Sequence, residues 1–227
     1  MDIQEVSACT GAGHLYGRGD VGIIVLGEDM SQGSPMLVPM SSPDITDAER
    51  EAVNAVMQTP NLSIGAQVLA FEQAFCEYSG RRHAIAVNSG TAGLHLCVHA
   101  SGIGRGDLVI TTPFSFVSTV NVLLFEGAIP VLVDVDEATG NIDPVQVEQA
   151  IRDLKSGGAN TQKWLPRTGA VSHGELKAVE TVDVFGQPAD YDPVAAVAKE
   201  FGLDVIEDSC EALGAEYKGR KAGTLGD

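Results

Sequence analysis

The chain has no C-x-x-C pair: its four cysteines, Cys9, Cys76, Cys97 and Cys210, stand far apart. Scattered thiols argue against a zinc finger or a disulfide framework and suit a reducing compartment. Basic residues are scarce, with 14 Lys and Arg against 31 Asp and Glu and a net charge of −17 over 227 residues. A surface of that sign repels nucleic acid and anionic membranes, so neither is an expected partner, although a local cradle can still hold a small anion. Long hydrophobic runs are missing too. The longest apolar region, from Val120 to Val135, is cut by Glu126, Gly127 and Pro130, which argues against a membrane span. The opening Met1-Asp2-Ile3-Gln4-Glu5 is acidic where a secretory leader is basic. There is no G-x-S-x-G hydrolase elbow and no internal repeat. These absences point to a soluble cytoplasmic protein.

What is present divides in two. Residues 1–36 are Gly-rich with little helical period, and are expected to be a disordered tail. Their Gly17-Arg18-Gly19-Asp20-Val21-Gly22 matches the G-x-G-x-x-G string, but a strand-like run follows it where a dinucleotide site needs a helix. Residues 37–227 read as one domain. Thr46-Asp47-Ala48-Glu49 is a capping box for a first helix. A second helix is expected over Gln67–Tyr78, burying Phe71 and Phe75 and stopping at Gly80. Ala84–Val87 reads as a strand running into a helix that starts near Gly90. Leu108–Thr111 and Val131–Val133 read as strands flanking a helix that ends at Gly127. Asp143-Pro144 opens another helix, and Lys155–Lys177 reads as a surface excursion. Ala178–Val184 and Leu203–Ile206 are further strands, separated by a helix capped at Asp192-Pro193. The alternation predicts an α/β fold, a mostly parallel sheet with helices on both faces.

In such sheets ligands bind beyond the carboxyl ends of the strands. Asn88–Ala92 offers helix-start amides with the hydroxyls of Ser89 and Thr91, and Gly90 permits close approach. Thr112–Phe116 offers an aromatic face, and Asp208–Glu211 a carboxylate. A phosphorylated, nitrogen-containing flat ring would use all three, which describes pyridoxal phosphate. Taken singly, each has a plainer reading: Ser89 and Thr91 as helix caps, Phe116 as core, Asp208 as a solvated loop carboxylate. His95 and His99 lie at i, i+4 spacing without a third ligand in evidence, and Asp134–Gly140 departs from a calcium loop, so no metal site is expected.

The strings Asn88-Ser89-Gly90-Thr91-Ala92-Gly93-Leu94, Gly106-Asp107-Leu108-Val109-Ile110-Thr111-Thr112-Pro113, Gly186-Gln187-Pro188-Ala189-Asp190 and Ile206-Glu207-Asp208-Ser209-Cys210-Glu211-Ala212-Leu213-Gly214-Ala215 stand in one order, followed by Lys218–Gly223. On these, residues 38–227 resemble the DegT/DnrJ/StrS family of pyridoxal-phosphate-dependent nucleotide-sugar aminotransferases, of the fold-type I superfamily. The resemblance implies that Gly90, Thr91 and Ala92 hold the cofactor phosphate. It places Phe116 on the ring face and Asp208, the catalytic candidate, at the ring nitrogen. Glu211 occupies a position where many members carry Gln or His near the ring hydroxyl.

In that family the Schiff-base lysine follows a Gly-Asp pair matched here by Gly226-Asp227, whereas the six lysines of this chain all lie upstream. The resemblance therefore implies the N-terminal, incomplete part of a large domain, with little turnover by itself. The whole enzyme is expected to move an amino group, with glutamate the expected donor, to a nucleotide-linked keto-sugar, and to be a homodimer. Alternatives are a sugar dehydratase of the same family and a non-catalytic cofactor-binding regulator.

Overall fold

Helix starts are written locally in this chain. Thr46 Oγ1 accepts the Ala48 amide at 3.2 Å and Glu49 Oε2 accepts the Thr46 amide at 2.7 Å, completing the capping box of α1 (Asp47–Met57). The computed structural model describes residues 43–167 and 174–227, so the expected tail over 1–36 and its G-x-G-x-x-G string lie outside the described residues. The chain divides into two compact units, Met1–Pro60, which carries α1, and Asn61–Asp227, which carries everything below.

In the second unit, α2 (Ala66–Ser79) ends on Gly80, whose φ of 75° is the left-handed cap that glycine adopts freely. Contrary to expectation, Phe71 and Phe75 are not buried: they are 59% and 38% exposed, and pack on each other with ring centroids 5.9 Å apart. Periodicity identifies an apolar helix face but not whether anything covers it. Ala84–Val87 corrects a second expectation. It forms no ladder with any described strand, and Ile85 is 79% exposed. Strand character needs a hydrogen-bonded neighbour, which composition does not supply.

The sheet comprises β1 (Leu108–Thr111), β2 (Ile129–Leu132), β3 (Leu176–Val182) and β4 (Asp204–Asp208), all parallel, in the order β2-β1-β3-β4. Strands buried on both faces read as continuous apolar runs, which is why Leu108-Val109-Ile110 was legible as one. Alternate residues face opposite sides. Val109, Ala178 and Ile206 pack with Leu94 and Val98 of α3 (Gly90–Ala100) and Val122 and Leu123 of α4 (Ser118–Phe125). Ile110, Val179 and Val205 pack with Val147 and Ile151 of α5 (Pro144–Ser156) and Val194 of α6 (Tyr191–Phe201). Helices on both faces of a mostly parallel sheet are thus observed. A two-stranded ribbon, β5 (Glu216–Tyr217) with β6 (Arg220–Lys221), follows.

Two further expectations are corrected. The N-cap of α6 is Asp190, and Asp192 sits in the first turn, where Lys218 and Arg220 pair with it. Within the expected surface excursion, Trp164 and Leu165 pack against the α5–α6 core, and Trp164 Nε1 donates to Asp153 at 2.9 Å. An indole placed over a helix, with its one donor satisfied, orders a segment that periodicity cannot recognise.

Candidate functional site

A cavity of about 520 Å³ at the carboxyl edge of the sheet is lined by the three segments expected from the sequence and by Val182, Val184 and Phe185 at the end of β3. The first is the start of α3. Ser89 Oγ accepts the Ala92 amide at 3.1 Å, capping the helix, while the amides of Gly90 and Thr91 have no partner among the described residues and point from its positive end. Gly90 and Thr91 line the cavity; Ala92 does not, its amide being taken by the cap. A Cβ added at Gly90 would lie 2.7 Å from Cys210 Sγ, so a larger residue there would require the Cys210 side chain to move.

The second segment follows β1. Phe114 is turned by its amide donating to Thr112 Oγ1 at 3.2 Å, and Ser115 and Thr119 share a hydroxyl contact at 2.7 Å. Phe116 stands 73% exposed at the rim of the cavity, not in the core. The third segment follows β4. Asp208 is buried, and its Oδ1 accepts the Cys210 amide at 3.1 Å. Burial and the adjoining Asp208 carboxylate push the Cys210 thiol up to about 12, so it stays protonated. Glu211 also lines the cavity, with Oε2 accepting the Phe185 amide at 2.9 Å; Phe185 is held in left-handed backbone, φ 53°.

Behind this edge a buried network holds the β3 and β4 ends together. Asp183 Oδ1 accepts the Ala189 amide at 2.9 Å and the Tyr191 hydroxyl at 2.8 Å, and Ser209 Oγ lies 2.6 Å from Oδ2. Burial raises the Asp183 carboxyl above its ordinary range, opposed by these donors. The structure thus brings Gly90, Thr91, Phe116, Asp208 and Glu211 to one cavity and leaves Ala92 outside it.

Residues 43–227 match the DegT/DnrJ/EryC1/StrS aminotransferase family. The chain belongs to this family. It is similar to the Spore coat polysaccharide biosynthesis protein SpsC of Bacillus subtilis (strain 168), 41% identical over 198 residues, covering 87% of this chain and 46% of SpsC. It is also similar to the GDP-perosamine synthase of Caulobacter vibrioides, 39% identical over 191 residues, covering 84% and 46% respectively. Among solved structures it resembles the PLP-form of Spr1654 from Streptococcus pneumoniae, with a TM-score of 0.68 at 26% identity over 84% of this chain and 47% of that one. The chain spans about half the length of the relatives it matches.

Sequence reading missed several residues of this DegT/DnrJ/EryC1/StrS site. Cys210 is invisible without the Gly90 contact. Asp183 lay inside the strand expected over Ala178–Val184 and was not singled out. Glu180 did carry a signal: it is a charge set between Val179 and Thr181 in the middle of an expected strand, and it is wholly buried in β3. The His95 and His99 pair, weighed for metal, faces Glu126, with ring nitrogens 2.7 and 3.4 Å from Oε1. Among the described residues no helix is long and apolar enough to cross a membrane.

Proposed function

We propose that this protein uses pyridoxal 5′-phosphate to move an amino group from an amino acid, with glutamate the expected donor, to a keto-sugar carried on a nucleotide. One observation carries the reading: free amides at the start of α3 and the buried Asp208 carboxylate line the same 520 Å³ cavity. These are the complements of an anionic group and a ring nitrogen at opposite ends of one small molecule. The name of the Caulobacter relative, a GDP-perosamine synthase, supports a nucleotide-linked sugar, and that of the Bacillus relative supports a place in polysaccharide biosynthesis. The residues present fit the cofactor. The Gly90 and Thr91 amides, with the Thr91 hydroxyl, would bind its phosphate. Phe116 would orient the ring from the rim. Asp208 would hold a proton on the ring nitrogen, and Glu211 would stand near the ring hydroxyl. Bound there, pyridoxal phosphate supplies the electron sink that amino transfer requires.

On this reading, residues 37–227 belong to the large cofactor-binding domain of a cytoplasmic homodimer. None of the six lysines lines the cavity. The full-length protein tests the proposal. It should take up pyridoxal phosphate with a visible absorbance band and, with glutamate, aminate a nucleotide-linked keto-sugar. Asp208→Ala should lower turnover about 100-fold or more, and Thr91→Val should weaken cofactor binding by about tenfold. A wild-type protein that shows no affinity for the cofactor would overturn the reading.

A further inference from the structure

Three buried side-chain oxygens lack a hydrogen-bond partner among the described residues: Thr111 Oγ1 and both carboxyl oxygens of Glu180. They are neighbours. Continuing the β1–β3 register one step past Ile110↔Val179 sets Thr111 beside Glu180. Across β4, Glu180 pairs with Ile206, and Val182 pairs with Asp208 two residues on. Residues two apart on a strand share a face, so Thr111, Glu180 and Asp208 all lie on the side covered by α3 and α4. Val182 and Asp208 line the cavity, and Glu180 and Thr111 lie one step below it with no exposed surface.

An unpaired buried carboxylate costs several kcal/mol, roughly, so such a group keeps its proton and seeks a partner. Burial first, and the Asp208 charge second, raise the Glu180 carboxyl well above its ordinary range. The titratable groups within electrostatic reach are Asp208 from β4 and Cys97 from α3, an exposed residue whose thiol is pushed up by partial desolvation and by these two carboxyls. Thr111 faces it from β1, and α4 contains no ionisable residue. The neighbouring positions on this face are Val109, Ala178 and Ile206. An acid serving only to fill space there would be poorer than valine.

We propose that Glu180 is a positioning residue for Asp208: a neutral acid beneath the cavity that shares an internal water with Thr111 and through it gives a hydrogen bond to the Asp208 carboxylate. The inference rests on the role proposed for Asp208. No bond is made or broken, and the proton stays on Glu180. A donor to Asp208 holds its carboxylate in place at the floor of the cavity, which an apolar side chain there would not do. Buried water with two or more polar partners is an ordinary part of protein interiors, and the three unpartnered oxygens are the partners it needs.

The test uses the full-length protein with Glu180→Gln, Glu180→Val and Thr111→Val. Infrared spectra at neutral pH, with and without cofactor, should show the carbonyl stretch of a protonated carboxyl that both Glu180 variants lack. In pH profiles of kcat/KM and of cofactor affinity, Glu180→Val should move the acid limb up by about one unit. Glu180→Gln, whose amide still donates, should leave the limb in place. Thr111→Val removes the other partner of the water while keeping the acid, and should move the limb the same way if Glu180→Val fails to fold. An absent band overturns the inference, as does a limb that moves equally, or not at all, in Gln and Val variants that differ only in melting temperature. A missing band with normal cofactor uptake sinks the Glu180 role alone, whereas no cofactor uptake by the wild type sinks the proposed function.

Discussion

Glu180 also leaves a mark on stability. Its carboxyl is held in the protonated form by burial in the folded chain and titrates ordinarily in the unfolded one. As pH rises through the ordinary carboxyl range, the unfolded chain releases this proton first, and the native state falls behind. The contribution of Glu180 is therefore greatest in acid and is lost on the way up to its raised folded value. Glu180→Gln removes that slope. Urea unfolding between pH 4 and 8 should show the variant gaining on the wild type as pH increases. A constant difference across the range would mean that Glu180 is ionised in the native state. Glu180 shows why some residues resist reading from sequence. Its lack of partners is decided by β1, β4 and α3, none of which is adjacent in the chain.

At the scale of elements, cap chemistry was the most legible feature because it is local. Asp143 Oδ1 accepts the amides of Val145 and Gln146 at 2.9 and 3.4 Å, with Pro144 at the first helical position, as the string Asp143-Pro144 announced. Asp143→Ala should cost about 1 kcal/mol in denaturant unfolding. Asp192→Ala, in the look-alike Asp192-Pro193, removes exposed ion pairs with Lys218 and Arg220 and no cap. Its loss should be smaller and should fade in high salt. Equal, salt-independent losses would contradict the assignment of Asp190 as the N-cap. Pairing, by contrast, is non-local. Leu108–Thr111 was readable as a strand since both its faces are apolar, whereas the equally apolar Ala84–Val87 has no ladder among the described strands. The cavity loops after β1 and β4 could be placed together from the strand–helix alternation, since a parallel sheet sends every strand's carboxyl end to one edge, whereas Asn88–Ala92 follows no described strand. That Ala92 stands outside, its amide taken by Ser89, needed coordinates.

For the whole molecule, the second compact unit keeps considerable apolar surface open. Phe71, Phe75 and Tyr78 of α2, with Leu213, line a shallow apolar concavity of about 270 Å³. Exposed patches of this kind promote association. Residues 1–227 expressed by themselves should self-associate at micromolar concentration, and Phe71→Ser with Phe75→Ser should reduce the light scattering. Unchanged scattering would place the sticky surface elsewhere. The net charge of −17 opposes such association at long range, and its influence shrinks as salt shortens the reach of the field.

The sheet has two sides with unlike duties. Beneath α5 and α6 it packs mainly aliphatic side chains, with Thr181, Asp183 and Tyr191 hydrogen-bonded at its carboxyl end, while beneath α3 and α4 it carries Thr111, Glu180 and Asp208. Mutational drift on the aliphatic side alters how long the fold survives, and drift on the other side alters what a bound ligand experiences. A lineage, or an engineer, can therefore harden this scaffold from behind without retuning its chemistry in front.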